Sequence, residues 1–422
     1  MKVARLVTEN IREKRIETFL KENGIERKDD EKDLKFEEWL SKILDEGRAK
    51  ADLLNSGIWK ELMYGHRRFM RVYELKAVRK IKHEEDWQDF LSAYDCPGMN
   101  FNRIIQTKLQ DGKKIKVCGM HTEYDADKIK RVDILFVYNM EIFFKTNNSY
   151  GTFYSYIPVT FDLEKKVMIL KVWNKDDSMP GDSPKEQLDD VLERLMKKLD
   201  FETKYITTDP QRVLYKMSRA LFDEFFMHLP NHQEVKNKTQ DLPAIINELL
   251  KGISLENAEI KNDLRTMNPE VMNVEDELYK LIQQVALYDY LKDNDIKDLL
   301  ENTDRYISRI RFSDRDNLTA SLTSETGIKC IFDAKTFMCV RNSLDLVEKI
   351  VSIVVSYTDN SGRGLLSVKY DAADRNFLNI HILRNGYYTE EDFEMIWGLY
   401  EQYESDDAEA NAIHKEDDAE AM

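Results

Sequence analysis

The sequence predicts an α+β protein in which helical and strand-forming segments occupy separate parts of the chain. Apolar residues repeat every three or four positions before residue 94 and again after residue 183, whereas residues 112–175 hold β-branched and aromatic runs. After residue 303, short strand-like runs alternate with helical ones. We therefore predict five parts: an N-terminal helical region (1–97), an antiparallel β-meander domain (98–180), a central helical region (181–302), a C-terminal α+β domain (303–405) and a disordered acidic tail (406–422).

Two amphipathic patterns support the N-terminal helices. Apolar side chains between Phe36 and Leu44 are spaced three and four apart, and the same spacing recurs between Leu53 and Met63. The turn-forming residues Asp95–Gly98 mark the end of this region. We expect residues 1–94 to be helical, with Glu26–Asp33 as a charged connector between helices.

Five runs rich in β-branched and aromatic residues predict the meander. The last run is too apolar for simple alternation, so we expect both faces of that strand to be covered. The runs are Lys114–Val117, Val132–Tyr138, Glu141–Lys145, Phe153–Phe161 and Val167–Trp173.

Helix start signals mark the elements that follow. Ser183 with Pro184 and Glu186 forms a predicted capping box, in which a serine and a glutamate satisfy each other's backbone N–H groups. The pair Asp209-Pro210 predicts a second helix start.

The last hundred residues predict a β-β-β-α-β-β-α order. Apolar residues from Leu344 to Val354 have helical spacing, and Thr389 is placed to cap a final helix. The predicted strands are Tyr306–Phe312, Leu318–Thr323, Ile328–Phe332, Leu365–Tyr370 and Phe377–Leu383.

Composition excludes several classes of protein. The 422 residues include 63 basic and 79 acidic side chains, a formal net charge of −16, and the 42% hydrophobic content excludes a wholly disordered chain. No apolar run approaches the roughly 20 residues that cross a bilayer, so we expect no membrane partner. Met1–Glu13 lacks the apolar core of a secretory signal, and the four cysteines form no Cys-x-x-Cys pair. We therefore expect a cytoplasmic protein with reduced thiols.

The stretch His66–His83 has the clearest local charge anomaly. It carries seven lysines and arginines against a single acid, Glu74, and the aromatics Phe69 and Tyr73 lie between them. Such residues can neutralise phosphates and stack on bases, which favours a DNA or RNA surface. Alternatively, its apolar residues are core and its cations only solvate the outer face or pair with the acidic tail. The candidate nucleic-acid-binding residues are Arg67, Arg68, Arg71, Arg79, Lys80 and Lys82.

A second pattern favours a divergent metal-dependent nuclease. Such enzymes hold a hard cation with carboxylates and stabilise charge with a lysine. Asp133 on one predicted strand, with Glu141 and Lys145 on the next, offers these groups. The Glu-x-x-x-Lys spacing is wider than the usual Glu-x-Lys of that arrangement, so this is an alternative only.

No sequence motif specifies a reaction. The chain lacks a phosphate-binding loop, a dinucleotide-binding glycine motif, a nucleophile elbow and a His-Glu-x-x-His zinc motif, so we assign no catalytic, cofactor-binding or metal-binding residue. The leading hypothesis is a non-enzymatic subunit of a larger assembly that binds nucleic acid and protein partners. A small-ligand sensor is a further alternative. Frequent Lys, Ile, Asn and Asp suggest an AT-rich bacterial genome, and a host-defence role is a hypothesis without a residue of its own.

Overall fold

The computed structural model contains helices and antiparallel strands throughout, which confirms the α+β class. The helices are α1 (Arg5–Thr8), α2 (Glu13–Glu22), α3 (Phe36–Asp45), α4 (Ala51–Met63), α5 (Gln88–Ala93), α6 (Pro184–Leu199), α7 (Pro210–Met227), α8 (His232–Lys238), α9 (Val274–Tyr290), α10 (Ile296–Leu300), α11 (Phe337–Val347) and α12 (residues 390–404). The strands are β1 (Phe69–Lys76), β2 (Phe101–Asn102), β3 (Ile115–Asp125), β4 (Lys128–Phe144), β5 (Ser149–Asp162), β6 (Val167–Val172), β7 (Glu202–Lys204), β8 (Arg305–Ser313), β9 (Thr319–Thr323), β10 (Ser352–Tyr357), β11 (Leu366–Asp371) and β12 (Leu378–Ile382).

The chain divides into two compact units. Unit 1 comprises Met1–Thr207, Arg375–Ile382 and Gly386–Met395, and unit 2 comprises Thr208–Asp374, Leu383–Asn385 and Ile396–Met422. The structure describes residues 2–76, 78–109, 113–144, 148–173, 179–199, 201–204, 209–242, 244–246, 248, 274–313, 319–324, 329–334, 336–358, 365–374, 377–383 and 387–404.

An antiparallel sheet forms the centre of unit 1. Its strand order is β2-β3-β4-β5-β6-β1-β12, and β7 also pairs with β1. Strands β3 to β6 are consecutive antiparallel neighbours, so the predicted meander is confirmed. The meander therefore provides four of the strands, and β1 and β12 come from distant parts of the chain.

Helices cover both faces of this sheet. The even-numbered side chains of β4 from Val132 to Met140 share a core with Trp87, which precedes α5, with Phe90 of α5 and with Leu188 of α6. Because successive strand residues point to opposite faces, the odd-numbered side chains lie on the other face, where Arg131 and Asp133 line one space with residues of α4. The expectation that Val167–Trp173 is covered on both faces is confirmed.

Two predictions about unit 1 are wrong. Residues 69–76 form β1 and not a helix, because their β-branched and aromatic residues pair with β6 and β12. The runs Val132–Tyr138 and Glu141–Lys145 do not belong to two strands: β4 continues through Asn139 and Met140, which pair with Tyr154 and Phe153 of β5. Pairing with neighbouring strands decides both cases: β6 and β12 for β1, and β5 for β4.

Unit 2 places helices against a smaller antiparallel sheet. Its strand order is β11-β10-β8-β9, with α7 packed on β8 and β10 and α11 packed on α9 and β9. The predicted helix through Val354 ends at Val347, where Glu348 adopts φ 50°, a left-handed conformation that stops a helix. Ser352–Tyr357 then forms the fully buried β10. Of the predicted strand Ile328–Phe332, residues 329–332 form bends and a turn.

The predicted helix starts are confirmed by their hydrogen bonds. The Glu186 carboxylate accepts the Ser183 backbone N–H at 3.0 Å, and the Glu186 N–H donates to Ser183 Oγ at 3.3 Å. Asp209 accepts the Gln211 N–H at 3.1 Å. At α12, the Asp392 N–H donates to Thr389 Oγ1 at 3.3 Å. Local sequence therefore sets where these helices begin.

The two units divide the chain differently from the five predicted parts. Unit 1 contains both the N-terminal helices and the meander, and the five-part division stays a prediction. The predicted tail 406–422 lies outside the described residues. In the part of the chain that the structure describes, no helix is both long enough and apolar enough to span a bilayer.

Candidate functional site

A cavity of about 580 Å³ opens over the β3–β4 hairpin in unit 1. Its floor is the outer part of the hairpin, and α4 with the following Tyr64 forms one wall. The 100–102 segment and the first residue of α12 complete it. The lining side chains include Asp52, Ser56, Trp59, Lys60, Tyr64, Asn100, Phe101, His121, Glu123, Arg131, Asp133 and Glu390.

Strand pairing sets the order of charges on the cavity floor. His121 of β3 is directly opposite Asp133 of β4, and Glu123 is opposite Arg131. Directly opposed residues of antiparallel strands share a face, with Cβ atoms about 5 Å apart. Two cross-strand pairs therefore present an imidazole, two carboxylates and a guanidinium to one space.

Asp133 lies at the base of this cavity and is only 5% exposed. The Arg131 Nε is 3.0 Å from its Oδ2, and Thr160 Oγ1 of β5 donates a hydrogen bond of 2.6 Å to its Oδ1. A buried carboxylate needs such partners because water no longer solvates it. The result is a carboxylate that is held in place and locally neutralised.

The Trp59 indole lies against the floor because residue 119 is a glycine. A Cβ added at Gly119 would be 2.6 Å from Trp59 Cζ3, closer than real atoms approach. Trp59 remains half-buried, so part of the ring is open to the cavity. Gly119 therefore admits the indole, and the sheet supports one side of it.

Beside the cavity, β6 buries a lysine. Lys171 is 1% exposed, and its Nζ lies 4.1 Å from the Tyr64 ring centroid and 4.0 Å from the Phe393 ring centroid. Burial lowers the pKa of Lys171 to about 7, although the negative charge of Asp133 acts in the opposite direction. An ammonium between two ring faces is stabilised by cation–π attraction.

Tyr64 connects this lysine to the cavity wall. Its ring contacts the Lys171 ammonium, and its hydroxyl donates a hydrogen bond of 2.8 Å to Glu390 at the start of α12. Burial and the Glu390 carboxylate both raise the pKa of Tyr64, so the hydroxyl stays protonated at neutral pH. Lys171, Tyr64 and Glu390 thus form a continuous contact from the sheet interior to the cavity.

No protein-family model and no curated protein matches this chain. Its function must therefore be inferred from the chemistry of its own residues.

Two of the candidate nucleic-acid-binding residues are interior. Arg67 is 0% exposed, and its Nη1 and Nη2 donate to the backbone O and side-chain Oδ1 of Asn10, each at 2.9 Å. Arg71 is 1% exposed, 2.5 Å from Asp189 of α6, with its guanidinium over the Phe377 ring. Neither guanidinium is placed to contact a phosphate in solution.

The remaining candidates of this stretch differ in exposure. Arg68 and Lys82 are half-buried and Lys80 is exposed, whereas the Arg79 side chain lies outside the described part of the structure. Among the five side chains that are described, only Lys80 is fully exposed. Nucleic-acid binding by residues 66–83 stays a prediction, and the structure does not bring its six candidates together on one surface.

The three nuclease candidates are not assembled. Asp133 and Glu141 lie eight residues apart on β4, about 26 Å at the rise of a strand. Glu141 is exposed, and Lys145 falls outside the described residues. Among the described residues, no group of three His, Cys, Asp or Glu side chains is arranged to hold a metal ion. The interpretation of Asp133 and Glu141 as neighbours is therefore wrong, since it assumed two strands where one exists.

Sequence reasoning missed Lys171 and Trp59 as site residues. Lys171 has a local signal: it is the one charged residue in the apolar run Val167–Trp173, on a strand expected to be covered on both faces. Trp59 has no such signal in the sequence, because it fits the apolar stripe of its helix. Asp133, which the sequence offered only as part of a nuclease centre, lines this cavity.

Proposed function

We propose that unit 1 is a binding module for a small molecule, which occupies the cavity over the β3–β4 hairpin. The observation that carries this proposal is the cavity of about 580 Å³, which is lined by the half-buried Trp59 ring and by several polar groups. Ligand sites typically have volumes of roughly 300–1,000 Å³ and combine apolar surface with a few placed polar groups. This corresponds to the small-ligand alternative and not to the leading hypothesis from sequence.

The surrounding electrostatics support the same proposal. Ionisable groups with displaced pKa values concentrate at functional sites, and Lys171, with a pKa of about 7, lies directly beneath Tyr64 of the cavity wall. Asp133 and Arg131 form an ion pair at the base of the cavity. Well-packed apolar residues at such a place often give equal or greater stability, so the ion pair favours a functional role.

Binding is better supported than catalysis. A lysine that is neutral near pH 7 can act as a nucleophile, but Lys171 does not line the cavity, and the Tyr64 and Phe393 rings cover its ammonium. The carboxylate of Asp133 is already engaged by Arg131 and Thr160. The groups at the site are therefore arranged to hold a molecule.

A thermal-shift screen tests this proposal. The full chain is heated with a set of amines, amino acids, nucleotides and organic acids, and a cavity ligand should raise the melting temperature by mass action, about 2.7 kcal/mol of stabilisation at a hundredfold excess over its Kd. The Trp59→Leu variant is screened in parallel. If every stabilising compound acts equally on both proteins, the cavity is not the binding site.

We keep three broader hypotheses from the sequence: a cytoplasmic location, protein partners in a larger assembly, and a role in bacterial host defence. The location rests on the polar residues Met1–Glu13 and the scattered cysteines, the partners on the basic stretch and the acidic tail, and the host-defence role on no particular residue. Nucleic-acid binding by residues 66–83 depends, among the described side chains, on exposed Lys80 and half-buried Arg68 and Lys82.

A further inference from the structure

The cavity lining has an excess of negative charge. Four carboxylates line it, those of Asp52, Glu123, Asp133 and Glu390, against two permanently basic side chains, Lys60 and Arg131. Arg131 is 3.0 Å from Asp133, so these two compensate each other locally. Three carboxylates then face the space with one lysine.

Aromatic side chains line the same space. Trp59, Tyr64 and Phe101 all contribute to the cavity wall. The face of an aromatic ring carries partial negative charge, and Trp attracts cations most strongly. Because Gly119 lets the Trp59 indole pack onto the sheet, the ring is fixed with its exposed part toward the cavity. The wall thus combines aromatic rings with carboxylates, the two kinds of group that attract an organic cation.

Unit 1 already shows this type of contact in its interior. The Lys171 ammonium lies about equally far from the ring centroids of Tyr64 and Phe393, 4.1 and 4.0 Å. The hydroxyl of the same Tyr64 donates to Glu390 at 2.8 Å. The interior side of this wall therefore stabilises a cation with aromatic rings, and a carboxylate borders its cavity side.

We propose that the cavity binds a small organic cation, an alkylammonium or guanidinium compound, over the Trp59 indole with Glu390 and Glu123 as counter-charges. This inference rests on the proposed function and specifies the class of its ligand. A small anion would face three carboxylates that no described ion pair compensates, which disfavours it. A neutral molecule would leave the excess negative charge of the lining uncompensated, since Lys60 is the one lysine that faces three carboxylates.

Isothermal titration calorimetry of the full chain tests whether the ligand is an organic cation. The cationic probes are choline, agmatine and spermidine, and the anionic probes are AMP and citrate. We expect at least one cationic probe to bind, with affinity falling as salt increases, because added ions screen the carboxylates. Neither anionic probe should bind competitively with it.

Matched variants locate the binding. Glu390→Gln keeps an oxygen for the Tyr64 hydroxyl but removes the charge, and it should weaken the cationic probe about tenfold. Trp59→Leu should weaken it by about the same factor, and Trp59→Phe by less. Asp127→Asn, the same change of charge at an exposed turn residue that does not line the cavity, should leave the affinity within about twofold of wild type.

The outcomes separate this inference from the proposed function. If a neutral or anionic compound binds and Trp59→Leu abolishes its binding, the cavity is a ligand site but the cationic class is wrong. If cations bind equally to wild type and to Glu390→Gln and Trp59→Leu, they bind elsewhere, and the inference fails. If no cationic probe binds at millimolar concentration, the inference is also overturned.

Discussion

At the scale of single residues, Lys171 shows how unit 1 tolerates a buried charge. An isolated ammonium in an apolar interior costs several kcal/mol, and proteins reduce this cost by lowering the pKa or by supplying partners. Both occur here: the pKa falls to about 7, and two aromatic rings and the charge of Asp133 stabilise the protonated form. Lys171 therefore changes charge within the physiological range of pH.

This titration predicts a pH-dependent stability. The pKa of Lys171 is about 7 in the folded protein against 10.5 for a free lysine, so between these values the unfolded chain binds more protons. The free energy of unfolding should therefore rise from pH 7 toward pH 10, by up to about 1.4 kcal/mol per pH unit. Urea unfolding of wild type and Lys171→Met at pH 6, 8 and 9.5 measures this effect.

The variant comparison isolates the lysine from other titrating groups. Lys171→Met should be more stable than wild type at pH 6, and this advantage should shrink as the pH rises. Exposed Lys128→Met is the control and should follow wild type across the range. A constant difference between wild type and Lys171→Met at all three pH values would contradict the low pKa.

Arg67 is expected to be a structural residue. Its guanidinium donates two hydrogen bonds to Asn10, and burial lowers its pKa to about 10, so it remains charged at neutral pH. Arg67→Ala should lower the free energy of unfolding by about 2–4 kcal/mol, because it leaves a void and unsatisfied Asn10 oxygens. Lys76→Ala, at an exposed position of β1, should change it by less than about 0.5 kcal/mol. Equal effects of the two would contradict this assignment.

At the scale of elements, the packing of α4 on β3 depends on Gly119. Gly119→Ala should destabilise unit 1 by about 1–3 kcal/mol, because its methyl group would clash with the Trp59 ring 2.6 Å away. In a Trp59→Ala background this clash is removed, so the same change should cost much less. A double-mutant cycle by urea unfolding measures the coupling, and additive costs would show that the two residues do not constrain each other.

The start of α12 depends on a reciprocal cap. Thr389 Oγ1 accepts the Asp392 N–H at 3.3 Å, and Asp392 Oδ2 accepts the Thr389 N–H at 2.8 Å. Thr389→Ala should lower the free energy of unfolding by about 1 kcal/mol, whereas Thr389→Ser, which keeps the hydroxyl, should change it little. Circular dichroism during urea titration gives both values, and equal losses would argue against the cap.

At the scale of the whole molecule, the net charge of −16 hides large local differences. Residues 66–83 hold seven lysines and arginines, yet two of the arginines are interior and bind protein groups. The hypothesis that this stretch binds a polyanion thus depends on exposed Lys80 and on half-buried Arg68 and Lys82.

This distribution changes how nucleic-acid binding must be tested. Reversing Arg67 or Arg71 would bury a carboxylate and unfold the protein, so loss of binding would carry no information. The hypothesis predicts instead that Lys80→Glu with Lys82→Glu weakens a mobility shift on DNA or RNA and reduces its salt slope by about two. Binding with an unchanged salt slope would exclude this surface, and Lys128→Glu serves as the charge-matched control.

Local sequence predicted the features that short-range physics decides. The capping residues Ser183, Asp209 and Thr389 accept hydrogen bonds from residues two or three positions further along the chain. The hairpins of the meander join strands that are consecutive in sequence. β1 was not predicted, because its partner β12 is far away in the chain. β10 was not predicted although its partner β11 follows it in sequence, because its apolar residues also fit helical spacing. Without knowledge of its partners, a short apolar run fits a β-strand as well as a helix.

The sequence by itself determined the α+β class, the meander, the helix starts and the lack of any catalytic motif, since these follow from periodicity, turn chemistry and composition. Only the tertiary structure decided that Arg67 and Arg71 are interior, that Asp133 and Glu141 lie far apart on one strand, and that Trp59, Asp133 and Glu390 line one cavity. Burial and proximity depend on which elements cover both faces of a strand. For Lys171, those elements lie about a hundred residues before it and two hundred after it in the chain.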